Sequence, residues 1–162
     1  MKRYEELTKE QIANILNSDL KETYMYLGKI ITCYHDTTLT LCNLYSIVGD
    51  NELFDNEDEC KAKIKSMFLQ ETQECRKNRN RKDFYAIGHL DPNTNKVYYE
   101  GGLQGLGQSM GYTATNLENA WWFESLDELC AFLKKYCYTD GSIIVEVPRY
   151  KLYHEITGHW LV

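Results

Sequence analysis

His154-Glu155-Ile156-Thr157-Gly158-His159 comes nearest in this sequence to a catalytic metal motif. A zinc-protease helix needs H-E-x-x-H, because positions i and i+4 put both imidazoles on one face. Here the second histidine stands at i+5, about 140° further round a helix, and Gly158 weakens that helix. A chance near miss is the better reading. Cys33, His35 and Cys42 also carry ligand chemistry. Structural zinc usually takes four ligands, commonly with a C-x2–4-C pair, and no such pair exists in the chain. A core cysteine and a turn histidine are expected instead, with no metal and no cofactor.

Gly101-Gly102-Leu103-Gln104-Gly105-Leu106-Gly107 invites a phosphate-loop reading. A dinucleotide fingerprint requires a strand, G-x-G-x-x-G, and a helix whose N-terminus receives the phosphate. The spacing differs here, Ser109-Met110-Gly111-Tyr112 is not a helix start, and no G-K-[ST] follows. A Gly-rich hairpin loop is the simpler account. Arg76 to Lys82 holds five positive charges in seven residues, which suits a helix C-terminus facing its own dipole. Nucleic acid is not expected as a partner, because overall positive charge and interleaved aromatics are both missing.

Two further groups have binding rather than catalytic chemistry. Asp50, Glu52, Asp55, Glu57, Asp58 and Glu59 crowd six carboxylates into ten residues and could steer a basic partner. Trp121-Trp122-Phe123 places three large aromatics in a row. All three cannot face inward on a short helix, so an exposed Trp121 or Trp122 is a candidate interface anchor. The structural alternative packs two of them on a sheet and lays the third over its edge.

The elements that must position these residues are legible in outline. Thr8-Lys9-Glu10-Gln11 reads as a capping box opening a helix of about 8–18. Residues 22–48 predict a hairpin of about 23–34 and 37–47, turning near His35-Asp36, although a helix over Leu39 to Tyr45 stays open. Asn56 and Glu59 predict a second capping box and a helix of about 57–78, with Cys60, Ile64, Met67, Phe68 and Cys75 inward. Residues 84–90 and 97–103 flank a turn at Asp91–Lys96. Ser125 to Glu128 opens a helix of about 126–138, Ser142 to Val147 is a strand, and Tyr150 to Val162 is a packed tail. The expectation is one α+β domain over residues 1–162, an antiparallel sheet with helices on one face.

Composition bounds the rest. At 162 residues and 43% apolar, the chain can bury roughly 70% of its unfolded surface. No apolar run approaches the ~20 residues of a membrane helix. The basic residues at the start lack an apolar stretch behind them, so a cytoplasmic location and six free cysteines are expected. Residues 83–162 hold 14 of the 21 aromatics and 10 acidic against 5 basic side chains. That half is a poor surface for phosphates and a better one for a basic protein.

Two resemblances extend this reading. Residues 84–146, with His89 early, Tyr112-Thr113-Ala114-Thr115 in the middle and Glu146 on a late strand, resemble an ADP-ribosyltransferase core. That resemblance implies a nicotinamide cofactor, with His89 holding it and Glu146 orienting its ribose. A solvent-facing strand glutamate explains Glu146 equally well. Phe84-Tyr85-Ala86-Ile87, Asn116 to Phe123 and Ser125 to Leu129 resemble small accessory proteins of phages and mobile elements in low-GC bacteria. This second resemblance implies an anti-CRISPR-like inhibitor in a bacterial cytoplasm. Its partner would be a basic host protein such as a CRISPR effector. A non-enzymatic inhibitor is therefore the leading expectation, ahead of the transferase and of a structural or regulatory phage protein.

Overall fold

The computed structural model describes residues 3–18, 20–35, 43–101, 104–105, 116–135 and 142–161, the pair 104–105 by its backbone. Thr8 Oγ1 accepts from the Gln11 N–H at 3.1 Å, and Gln11 Oε1 accepts from the Thr8 N–H at 3.0 Å. This reciprocal cap opens α1, Lys9–Leu16, after a short 3-10 turn at Tyr4–Glu6. Asn56 caps α2, Glu57–Lys77, with its own Oδ1 accepting from Asp58 and Glu59 N–H at 2.8 and 3.3 Å. Cys60, Ile64, Phe68, Thr72 and Cys75 follow at three- and four-residue spacing and are buried as one stripe.

The segment expected as one strand, about 23–34, is itself a hairpin. β1, Lys21–Tyr26, pairs with β2, Lys29–Tyr34, across Leu27-Gly28. Both turn residues have positive φ, 46° and 79°, as a two-residue primed turn requires. Leucine is a poor choice for such a turn, which is why the sequence conceals it. A distant contact compensates: the buried Leu27 donates its N–H to the Glu118 carbonyl at 2.8 Å. His35 follows β2, whose antiparallel pairing with residues 44–47 keeps the expected return strand in part, and the first residues expected in that strand lie outside the described ones.

β3, Leu44–Ile47, pairs with β2, and β4, Leu53–Phe54, pairs with β3. The two-residue β7, Gln104–Gly105, joins the far side of β1, giving the order β4-β3-β2-β1-β7. A second antiparallel sheet has the order β6-β5-β8, from β5, Phe84–Leu90, β6, Val97–Tyr99, and β8, Ser142–Val147. The single sheet expected from sequence is thus two. One core unites them: Ile31 and Ile47 of the first sheet, Ala86 and Val147 of the second, Ile64 and Phe68 of α2. The chain is an α+β domain.

Two elements complete it. α3, Leu126–Lys135, starts with Ser125 Oγ accepting from the Glu128 N–H at 3.1 Å, and it buries Leu129. The expected tail is instead α4, Arg149–Thr157, stopped by Gly158 in the left-handed region. His159 lies beyond that stop, so the two imidazoles of the near-motif do not share a helix face. His154 instead stacks on Trp160, with centroids 4.0 Å apart, while Leu161 packs on the core.

Gly28 packs closely against Trp122. A Cβ there would lie 2.7 Å from Cε3 of the buried Trp122, on a backbone that side chains already disfavour. Gly28→Ala is expected to cost about 2 kcal/mol or more, from left-handed strain and overpacking together. Urea denaturation of the purified variant checks this; an unchanged midpoint would mean the turn and Trp122 separate easily.

Candidate functional site

Most of the acidic segment is paired within the chain. Lys63 Nζ donates to Asp50 Oδ2 at 2.9 Å and also contacts Glu52. The Glu52 backbone N–H, followed by the Lys63 hydrogen bond, holds the Asp50 carboxyl below its usual range. Asp55 accepts from the Tyr4 N–H at 2.7 Å and lies 3.7 Å from the Arg3 guanidinium. Glu57 accepts from the Tyr24 hydroxyl and pairs with Lys61 at 3.1 Å. Partial burial works against the Glu57 charge, but these bonds outweigh it and its carboxyl is held low. Asp58 and Glu59 remain exposed on the first turn of α2, where their charge suits the helix dipole. Much of the steering field expected from six carboxylates is therefore neutralised locally.

The aromatic anchor is overturned. Trp121 and Trp122 are 4% and 5% exposed, so neither projects from the surface as an anchor. Trp121 donates its N–H to the Glu100 carbonyl at 3.0 Å and meets Phe132 edge-on at 5.3 Å. Trp122 lies 4.6 Å from Phe84 and 5.9 Å from Phe68, with its indole N–H on the Leu117 carbonyl at 2.8 Å. Phe123, the partly exposed member, exchanges two backbone bonds with Tyr85 and so caps the edge of β5.

The transferase pair does not converge. His89 stands opposite Ser142, and Glu146 opposite Tyr85, four residues away along β5. At the rise of a strand that separates them by about 13 Å. His89 contacts the Glu100 carboxylate instead. Glu100 is buried, and its second oxygen has no hydrogen-bond partner among the described residues. Glu146 is solvent-facing, as the simpler sequence reading held. Of the Gly-rich stretch, Gly101 is buried and 104–105 are described by their backbone; the rest lies outside the described residues.

Three arrangements emerge that sequence spacing did not show. Glu22, Cys33 and His35 converge at the open end of the β1–β2 ladder, with one ligand atom from each lying within 4.8 Å of the others. Cys42, their suggested companion, lies outside the described residues. Cys33, Cys60 and Cys75 are free and buried, while Cys130 is free and exposed. Arg149 is 3% exposed, its guanidinium between the Phe68 and Phe84 rings at 5.1 and 4.5 Å.

The third arrangement is a groove of about 410 Å³ beside β8, bounded by Tyr99, Glu118, Glu146, Lys151 and Glu155. Three carboxylates and one ammonium line it. Burial, then the Glu155 charge, raises the Tyr99 hydroxyl pKa, so the phenol stays neutral at the groove wall. No described helix is long and apolar enough to cross a membrane. No protein-family model, curated protein or solved structure matches the chain.

Proposed function

We propose that this is a non-enzymatic binding protein that captures a basic protein partner at the open edge of its second sheet. The carrying observation is β8 itself. Among the described strands it pairs with β5 on one side, and its Ile143 and Ile144 are 42% and 47% exposed. An apolar edge strand offers unpaired backbone groups to an extended segment of another chain, which adds to the sheet through main-chain bonds. The acidic groove alongside selects that segment, because a lysine or arginine projecting from it would meet Glu118, Glu146 and Glu155.

The biological class we propose is an anti-CRISPR-like inhibitor that blocks a bacterial defence or nucleic-acid-handling protein. The resemblance of residues 84–129 to phage accessory proteins supports it. So does the chain's net charge of −6, since proteins that handle nucleic acid present basic surfaces. Affinity capture from bacterial lysate, with mass spectrometry, identifies the partner. Binding kinetics then test the surface. Ile144→Lys should weaken the complex at least tenfold, and Glu146→Lys with Glu155→Lys should mainly slow association and reduce its salt dependence. Asp58→Asn with Glu59→Gln should leave binding unchanged. Wild-type kinetics for the β8 and groove variants would refute this surface.

A further inference from the structure

The turn at Leu27-Gly28 sets Glu22 directly opposite Cys33. Directly opposed residues point to the same side of an antiparallel pair, and so does His35, two positions beyond Cys33. That side is the core face, where Cys33 is 1% exposed beneath α2. Ligand atoms from three residues thus gather at the end of one ladder, all within 4.8 Å of one another. His35 is held there by its backbone N–H on the Leu20 carbonyl, at 2.8 Å.

The orientation of His35 is informative. Its Nε2 lies 3.1 Å from Glu22 Oε1, yet this buried nitrogen makes no hydrogen bond among the described residues. The pair thus meets without a hydrogen bond that would fix the imidazole, beside the Cys33 sulfur. We propose that Glu22, Cys33 and His35 are three ligands of a zinc ion. Thiolate, imidazole and carboxylate together suit zinc and are a poor set for magnesium or calcium. Bonds of about 2.1 Å to nitrogen and oxygen and 2.3 Å to sulfur put tetrahedral ligand atoms about 3.4–3.7 Å apart. Side-chain shifts of about 1 Å reach that spacing. The fourth position goes to water or a fourth donor.

The surroundings fit a cation. Tyr45 sits opposite Cys33 on β3, and its hydroxyl bonds the Cys33 sulfur, the outer support that zinc thiolates commonly receive. Glu57 adds negative charge near the Cys33 sulfur. Coordination would break the Cys33 S–H bond, form Zn–S, and release the thiol proton to solvent. His35 is about one-third exposed, which leaves an entry path.

Cobalt(II) is the probe. The full chain, reduced and stripped with a chelator, should bind one cobalt with a thiolate-to-cobalt charge-transfer band, and one equivalent of zinc should abolish that band. Cys33→Ser should remove the band. His35→Ala and Glu22→Gln, at partly exposed positions that folding tolerates, should each weaken cobalt binding at least tenfold. Circular dichroism on each variant separates loss of metal from loss of fold; if Cys33→Ser unfolds, the His35 and Glu22 variants decide alone. Absence of the band in wild type, or wild-type affinity in both of those variants, would overturn the site. A band that vanishes only when another cysteine is replaced would overturn it too.

Discussion

Trp122→Ala should destabilise the protein by about 3–5 kcal/mol, before any question of partner binding arises. The indole is 5% exposed and touches both sheets: Gly28 of the β1–β2 turn on one side, Phe84 of β5 on the other, Phe68 of α2 beneath. Its removal takes away the transfer energy of a large aromatic and leaves a cavity at a junction of three elements, which cannot all close together. It also strands the Leu117 carbonyl, which accepts the indole N–H at 2.8 Å. Since small domains are stable by only about 5–15 kcal/mol, much of the total is lost. Trp122→Phe refills most of the space but not the hydrogen bond, and should cost less. Denaturant unfolding of both variants measures the difference. A Trp122→Ala protein of near-native stability that no longer binds its partner would restore the interface anchor and refute the buried one.

What sequence conveyed and what it hid divide along a physical line. Thr8, Asn56 and Ser125 announced α1, α2 and α3, because a cap is a local bond between residues two or three apart. The Tyr, Ile and Thr content that marked about 23–34 as β was equally local. The turn inside it was not. Leu27-Gly28 lacks the Asn-Gly or Asp-Gly signature, and the Glu118 carbonyl that holds it is 91 residues away in the chain. A hairpin turning at residues 35–36 would have opposed Cys33 to Thr38, and the Glu22 partnership stays invisible until the register is known. The proposed zinc ligands were hidden because 23–34 read as a single strand. α4 was missed for a related reason: Pro148 and Gly158 bracket it correctly, but its apolar face is short and a charged residue opens it. Of the two readings of Trp121-Trp122-Phe123, the packed one holds: both tryptophans are buried and Phe123 covers the edge of β5, an outcome set by what packs on each residue.

Arg149→Met should leave stability within about 1 kcal/mol of wild type, or raise it, while Arg149→Ala should lose about 3 kcal/mol. Burial lowers the pKa of this guanidinium, a sign of the cost of holding the charge at 3% exposure. In return it stacks between Phe68 and Phe84, donates to Thr72 Oγ1 at 3.0 Å, and donates to the Lys82 carbonyl at 3.3 Å. Methionine keeps the packing volume between the rings and removes the desolvation cost. Thr72 is not stranded by the change, because its hydroxyl still donates to the Phe68 carbonyl at 2.7 Å. Lys82 is exposed, so water can satisfy its carbonyl. The helix start also survives, since the Arg149 backbone N–H on Asp83 Oδ1 does not depend on the side chain. Alanine, by contrast, leaves both rings facing a void where α2, β5 and α4 meet. Lysine should also fail, because a compact ammonium neither stacks flat nor spans the two acceptors. Urea titrations of the three variants order them, with methionine above lysine and alanine. If methionine falls as far as alanine, the guanidinium hydrogen bonds hold this junction and the stacked volume does not.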